Sequence, residues 1–387
     1  MFVSYKIKKN KAEIEIDNAE KIYFEGSQDF DIIDGRFALL AVCPLAMSRG
    51  ENIQCNFFIE KQYIDIIKEV CFHWALTCPE IYSYPEIIVE EKSSKVEPKN
   101  NNLIFFSGGV DSSYTAIRKF DSGITSDCLI VHGMDYKVAD DIKFNDLLQS
   151  TSTFRKKYFA NTITVKTNLH QFYSGKCNPV DGSVTHFFNL ISAAWLFSSK
   201  YSSIQMASDY NLSLQNVVHP YGSNSGVFQK FSNLNQKITL CDDNVLRSEK
   251  LQFLLGREFS DIQGLSFCTD YNSRPYNCGL CSKCMRTKVM CFALTGEVPD
   301  IFSNKQIPKS WARSLNLKRK PQIAHLMDAL TCIHKSDYRE NLDYHSTLKM
   351  FNKVVSKQRK ISSKVNGLEN AMLIRVLSKI KKFFSSR

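Results

Sequence analysis

Apolar and polar residues alternate over residues 2–7 and 12–16, the period of half-buried strands. Phe37, Ala38, Leu39, Leu40, Ala41, Val42 and Cys43 form an unbroken apolar run, and residues 53–59 continue the strand pattern. Over 63–76 the spacing becomes helical, with Ile64, Ile66, Ile67, Val70, Cys71 and Trp74 on one face. Residues 90–102 are charged and polar, contain Pro98 and read as a linker. Residues 1–95 are therefore expected to form an α+β module, for which support, dimerisation and partner recognition are all open roles.

From residue 103 strand and helix patterns alternate. Strands are expected at 103–106, 128–133, 162–165, 203–207 and 238–241, and helices from Tyr114 onward and over 144–158, 186–199 and 248–255. Repeated units of this kind predict an α/β fold with a doubly wound parallel sheet over 103–300. Its strand C-terminal ends fall on one edge, where ligands bind, so the turns at 107–113, 132–136 and 208–210 should open onto one cleft. Residues 301–387 are helical by pattern, with candidates at 323–333, 342–355 and 368–384. The last carries Met372, Ile374, Val376, Leu377 and Ile380 among Arg375, Lys379, Lys381 and Lys382, and is expected to pack its apolar stripe on its own domain rather than on an anionic membrane.

Composition narrows the class. With 43% hydrophobic residues in 387, the chain can build substantial cores. It has no apolar run long enough for a transmembrane helix, and its first residues lack the apolar core of a signal peptide, so a cytoplasmic location is expected. There the 13 cysteines read as buried thiols plus a metal site, not as a disulfide framework. The net charge of +11 is concentrated at one end: residues 301–387 hold 19 Lys/Arg against 5 Asp/Glu. A solvated helical face accounts for that excess, and an acidic partner such as nucleic acid is the sharper alternative.

The most specific chemistry lies at Phe106, Ser107, Gly108, Gly109, Val110, Asp111, Ser112 and Ser113. A strand, a tight glycine turn and a helix start converge there, and that arrangement presents free N–H groups and a positive helix end to an anion, most often a nucleotide phosphate. Gly108 and Gly109 let the backbone approach, and the serine hydroxyls donate. Asp111 does not favour a bare phosphate, so its expected partner is a Mg²⁺ ion on the phosphates. The loop lacks the G-x-x-x-x-G-K-[ST] pattern of a Walker A motif. A second constellation is Cys268, Cys278, Cys281 and Cys284, spaced C-x9-C-x2-C-x2-C, with Cys268 expected from a neighbouring strand end. Four thiolates around one ion make a structural Zn²⁺ site, with an iron–sulfur cluster as the competitor.

The first motif resembles the S-G-G-x-D-S loop of the ATP pyrophosphatase (PP-loop) superfamily. The second, from Cys278 to Thr287, resembles the zinc motif of 7-cyano-7-deazaguanine synthases, whose nucleotide-binding domain begins with the same phosphate loop and whose zinc site takes a preceding cysteine, here Cys268. The resemblance covers residues 103–296. It implies a PP-loop fold, binding of ATP with Mg²⁺ and Zn²⁺, and adenylation of a carboxylate such as 7-carboxy-7-deazaguanine, followed by amide or nitrile formation. By the same resemblance, Val131, His132 and Gly133 flank the adenine. Asp111 and Ser112 act at the departing pyrophosphate, and Arg247, Lys250 or Lys119 neutralises charge at the α-phosphate. Asp135 and Asp209 bind ribose or a purine-like edge, or serve as helix caps. The resembled synthases are shorter; this chain adds about 100 residues before the loop and about 90 after the cysteines. The expected partner is a small deazapurine-like acid or, as in synthase-like proteins of bacterial defence systems, a protein or nucleic acid acceptor; a homo-oligomer is expected. The rival readings are a tRNA-thiolating enzyme of the same superfamily, for which Cys128 and Cys241 are the candidate thiols, and a non-enzymatic nucleotide-binding module.

Overall fold

Leu103, Ile104 and Phe105 are buried although consecutive residues of a strand point to opposite faces, which requires a sheet covered on both sides. The computed structural model, which describes residues 1–93, 97–176 and 182–357, provides that cover. Its strands are β1 (Phe2–Lys8), β2 (Lys11–Ile16), β3 (Glu20–Gly26), β4 (Ile53–Ile59), β5 (Ile87–Glu91), β6 (Asn102–Phe105), β7 (Asp127–His132), β8 (Thr162–Thr167), β9 (Ser203–Ala207) and β10 (Lys237–Cys241). They form one sheet in the order β10-β9-β6-β7-β8-β3-β2-β1-β4-β5. All pairings are parallel except β8 with β3, β3 with β2 and β2 with β1. Within the parallel part the chain starts in the middle at β6, runs outward through β7 and β8, and then returns to the other side of β6 for β9 and β10. The strand order reverses between β6 and β9, and the carboxyl ends there are splayed by their diverging connections.

The helices are α1 (Arg36–Arg49), α2 (Lys61–Thr77), α3 (Val110–Asp121), α4 (Asp141–Ser150), α5 (Ser152–Tyr158), α6 (Leu169–Lys176), α7 (Gly182–Trp195), α8 (Leu212–Val218), α9 (Ser225–Gln229), α10 (Arg247–Leu255), α11 (Phe259–Ile262), α12 (Ser282–Thr295) and α13 (Lys320–His334). One face of the sheet, carrying Leu103, Phe105, Leu129, Ile204 and Met206, packs on α1, α2, α6, α7 and α9. The other, carrying Ile104, Cys128 and Ile130, packs on α3, α4, α5, α10, α12 and α13.

Residues 37–43 correct the reading of that run as a strand: they lie in α1. The helix is buried all round from Arg36 to Met47, packs against α7 and stops at Gly50 in the left-handed conformation (φ 66°). A continuous apolar run fits a fully enclosed helix as well as an enclosed strand, and periodicity does not separate them. The segment read as an N-terminal module joins the rest of the sheet through β3 and β8, pairing Phe24 with Thr167 and Gly26 with Val165. Its apolar residues and those of α7 belong to one continuous core. Expected helices at 323–333 and 342–355 correspond to α13 and to a helix over 344–357. The expected helix at 368–384 lies outside the described residues.

Phe24 is 1% exposed and meets Phe37 edge-on at 6.2 Å. Phe24→Ala is expected to cost about 3–5 kcal/mol, and denaturation followed by tryptophan fluorescence and by far-UV circular dichroism should shift as one transition. Two separated transitions would contradict a shared core.

Candidate functional site

The turn between β6 and α3 lies at the point where the strand order reverses. Gly108 takes φ +74°, a conformation open to glycine at little cost, and Gly109 caps α3 in an extended conformation. The loop's internal hydrogen bonds are long. Gly109 N donates to Ser107 Oγ at 3.3 Å, Ser107 N to Ser112 Oγ at 3.3 Å, and the two hydroxyls lie 3.2 Å apart. Bonds of that length are weak and readily exchanged for a ligand's oxygen atoms. Phe106, Ser107, Gly109, Asp111 and Ser112 line a cavity of about 370 Å³. Val110 and Ser113 are instead buried behind the turn, where they hold the first turn of α3 in place.

Asp111 is the centre of a buried ion cluster. Arg247 Nη1, at the start of α10, donates to Asp111 Oδ2, and Lys250 Nζ lies 3.4 Å from Oδ1. Lys250 also donates to the Ser208 carbonyl at 2.5 Å, just past β9. All three side chains are at least nine-tenths buried. The two cations read from sequence as free for an α-phosphate therefore neutralise Asp111 and tie α3, α10 and the end of β9 together. Lys119 sits in the last turn of α3, at the end away from the glycines.

The turns after β7 and β9 open into the same cavity, as expected. Val131, Asp135 and Asp209 line it. Gly133 has φ +111°, and a Cβ there would lie 2.0 Å from the Thr167 carbonyl oxygen, so only glycine fits. His132 does not reach the cavity. Its ring stacks on Phe144 at 4.2 Å and its Nε2 lies 2.9 Å from the Lys137 carbonyl, a structural placement. Asp209 accepts from the Tyr221 hydroxyl. Asp135 is 56% accessible; although desolvation opposes the shift, Lys283, Arg274, His186 and His170 bring its pKa below the usual carboxylate range.

Several wall residues were not singled out from the sequence. Lys283 and Arg286 project from α12, Arg274 from the segment before it, and His325 from α13. His325 is 5% exposed and pairs with the Tyr210 hydroxyl at 3.2 Å; burial, then Arg286, Arg247 and Lys283, push its basicity well down and keep the imidazole neutral. Burial and Arg247 likewise lower Arg286, which stays charged at neutral pH. The i, i+3 spacing of Lys283 and Arg286 beside the cysteines was the legible cue. Nothing local marks His325.

Cys268, Cys278, Cys281 and Cys284 converge, with all four sulfurs within 4.8 Å of one another and Cys268 Sγ 3.8 Å from Cys281 Sγ. Tetrahedral coordination at Zn–S distances near 2.3 Å places sulfurs about 3.8 Å apart, so the four thiols could hold a metal ion. Backbone amides already face the sulfurs: Leu280 N and Cys281 N donate to Cys278 Sγ at 3.3 and 3.2 Å, and Cys284 N to Cys281 Sγ at 3.4 Å. The bond from the Cys284 thiol, followed by the donors of Thr269, lowers the Cys281 thiol and favours its thiolate. Cys268 comes from an irregular stretch between α11 and α12, a correction to the expected strand end. Lys288, fully buried, clamps the knuckle by donating to the carbonyls of Gly279, Asn304 and Gln306 at 2.8, 3.0 and 2.5 Å. Cys291 is a core residue.

No helix among the described residues is long and apolar enough to cross a membrane. Compared with protein-family models, curated proteins and solved structures, the chain gave no match.

The cluster predicts about one tightly bound metal ion per chain. Elemental analysis of Cys284→Ser should show that ion lost, with unfolding at lower temperature; full retention in the variant would rule out these four ligands.

Proposed function

We propose that this protein is an ATP-dependent ligase of the 7-cyano-7-deazaguanine synthase type, built on a PP-loop domain with a structural zinc. The observation that carries the reading is that the serine–glycine turn, at the reversal of strand order, and the helix that carries the last of the four cysteines form walls of one cavity. Phe106, Ser107, Gly109 and Ser112 cradle the β- and γ-phosphates, with the N-terminus of α3 and the hydroxyls of Ser107 and Ser112 as donors and Val110 and Ser113 behind them. Mg²⁺, when bound, neutralises phosphate charge. Asp111, the carboxylate of the turn, would help hold that ion and would then give up part of its bonding to Arg247 and Lys250, cations that could serve the α-phosphate. Val131 borders the adenine, whereas Gly133, like His132, lies off the cavity wall and packs on Thr167; Asp135 or Asp209 takes the ribose or the substrate's purine-like edge. Cys268, Cys278, Cys281 and Cys284 would hold Zn²⁺ with all four positions taken by thiolates, a structural site that would secure the start of α12.

The chemistry follows from those placements. An oxygen of the acid attacks the α-phosphorus, pyrophosphate leaves, and the acyl group is carried as its adenylate. An amine then displaces AMP to give an amide; adenylation of the amide oxygen and elimination of AMP would give the nitrile. Donors preset around the departing pyrophosphate stabilise charge as it develops.

Sulfur transfer is less well supported. Among the described residues no cysteine lines the cavity. Cys128 and Cys241 are buried, and burial pushes both thiols up to about 11.

Incubation with ATP, Mg²⁺, 7-carboxy-7-deazaguanine and ammonium should release AMP and pyrophosphate, and Ser112→Ala should lower kcat/KM by about 10²-fold. Wild-type protein that releases neither, with every acid tried, would overturn the ligase reading. Native Cys128 and Cys241 should stay unmodified by iodoacetamide at pH 8, where a thiol of pKa about 11 is almost wholly protonated; rapid labelling, read by peptide mass spectrometry, would reopen sulfur transfer.

A further inference from the structure

The cations of the cavity are not equally satisfied. Arg247, whose Nε is also buried without an acceptor, has its guanidinium spent on Asp111, and so has Lys250 its ammonium, behind the cavity wall. Arg274 donates to the carbonyls of Cys268 and Asp135 and lies 3.6 Å from the Asp135 carboxylate. Lys283 and Arg286, one turn apart on α12, have no such partner. Among the described residues neither has a carboxylate within 4.0 Å, and the Lys283 ammonium has no hydrogen bond. Arg286 is 3% exposed, its Nε is buried without an acceptor, and its Nη1 reaches only the Gln322 amide oxygen at 3.5 Å. A desolvated guanidinium left in that state is costly, and an anion entering the cavity would remove the cost.

We infer that Lys283 and Arg286 form a second anion clamp, separate from the glycine turn, which grips the carboxylate of the acid to be adenylated; the inference rests on the ligase reading. Three features select a carboxylate over a phosphate chain. The glycine turn already supplies the donors that a pyrophosphate needs. Asp135 stands close enough to act electrostatically on Lys283, and Asp209 on both cations, and these carboxylates repel a polyanion more strongly than a single charge. A planar guanidinium fork matches a planar carboxylate in two parallel bonds, and the ammonium adds a third donor. The clamp is also fastened to the cysteine cluster. Lys283 stands between Cys281 and Cys284, and Arg286 follows within the next turn, so an ion on the four sulfurs fixes where both cations point. Gln322 and the neutral His325 of α13 back the pair from the other side. The cluster thereby sets acceptor recognition, while the nucleotide phosphates are held by α3.

The test uses metal-loaded full-length protein saturated with α,β-methylene-ATP, titrated calorimetrically with indole-3-carboxylate, a bicyclic acid, and with indole-3-carboxamide, its neutral counterpart. The acid should bind about tenfold or more tightly than the amide, the scale of one charge-assisted hydrogen bond pair. Arg286→Gln and Lys283→Met should each erase most of that difference, Arg286→Lys should keep part of it, and all three should hold their metal and bind α,β-methylene-ATP within about threefold of wild type. Equal binding of acid and amide, an acid that displaces the nucleotide, or variants that lose nucleotide affinity instead would each overturn the clamp. Failure of the ligase reading shows elsewhere, as wild-type protein that releases neither AMP nor pyrophosphate from ATP with any acid.

Discussion

Asp111 and its two cations are the interaction on which the site depends. A carboxylate 5% exposed at the start of α3 requires countercharge, and Arg247 and Lys250 of α10 provide it from across the reversal in strand order. Through Lys250 and the Ser208 carbonyl the cluster reaches β9, so the glycine turn, the helix behind it and the neighbouring strand end cannot move independently. A buried cluster of this kind adds little net stability over an apolar core but strongly penalises arrangements that separate its members. Its effect is to fix the geometry of the serine–glycine turn. Thr115, one turn further along α3, donates to Asp242 at the end of β10 at 2.6 Å and extends the same tie to the edge of the sheet.

Around that centre the cavity draws on parts of the chain remote from one another in sequence. The turns after β6, β7 and β9 contribute from the sheet edge, α12 from the cysteine knuckle, and α13 from the C-terminal region. The knuckle is itself secured by Lys288 and by Gly279, where φ is +74° and an added Cβ would lie 2.0 Å from the Asn304 carbonyl oxygen. Four converging thiols with amide donors aimed at their sulfurs are arranged for negative charge, which is how a thiolate set prepares for a cation. The excess of basic residues after residue 301 does not describe the part of that region that meets the cavity: α13 presents a neutral histidine there, and its Asp328 accepts from Ser248 of α10.

The N-terminal strands serve the same architecture from the opposite side. β3 pairs with β8 and continues the sheet antiparallel, so α1 and α2 pack with α7 over one face. Arg36, fully buried at the start of α1, is held by Asp34 at 2.7 Å and Glu60 at 3.2 Å and lies 3.3 Å over the Tyr63 ring. That network fixes the entry to α1 against α2; Asp34 is only two residues from Arg36, but Glu60 and Tyr63 are too far along the chain for any local pattern to pair them with it.

The strands of the parallel sheet, the glycine turn, the cysteine cluster and the convergence of three strand-end turns were legible because each rests on local chemistry: apolar runs bounded by breakers, paired glycines before a helix, thiols two residues apart. The run at 37–43 was misread because enclosure on all sides removes the periodicity that distinguishes helix from strand. Only the folded chain decided which charges are spent and which remain. Residue type made Arg247, Lys250, Lys283 and Arg286 equivalent cations, and three-dimensional placement bound the first two to Asp111 and left the last two facing the cavity without a carboxylate. Coulomb interaction and desolvation depend on distance and burial, and neither quantity is written in the order of residues along a chain.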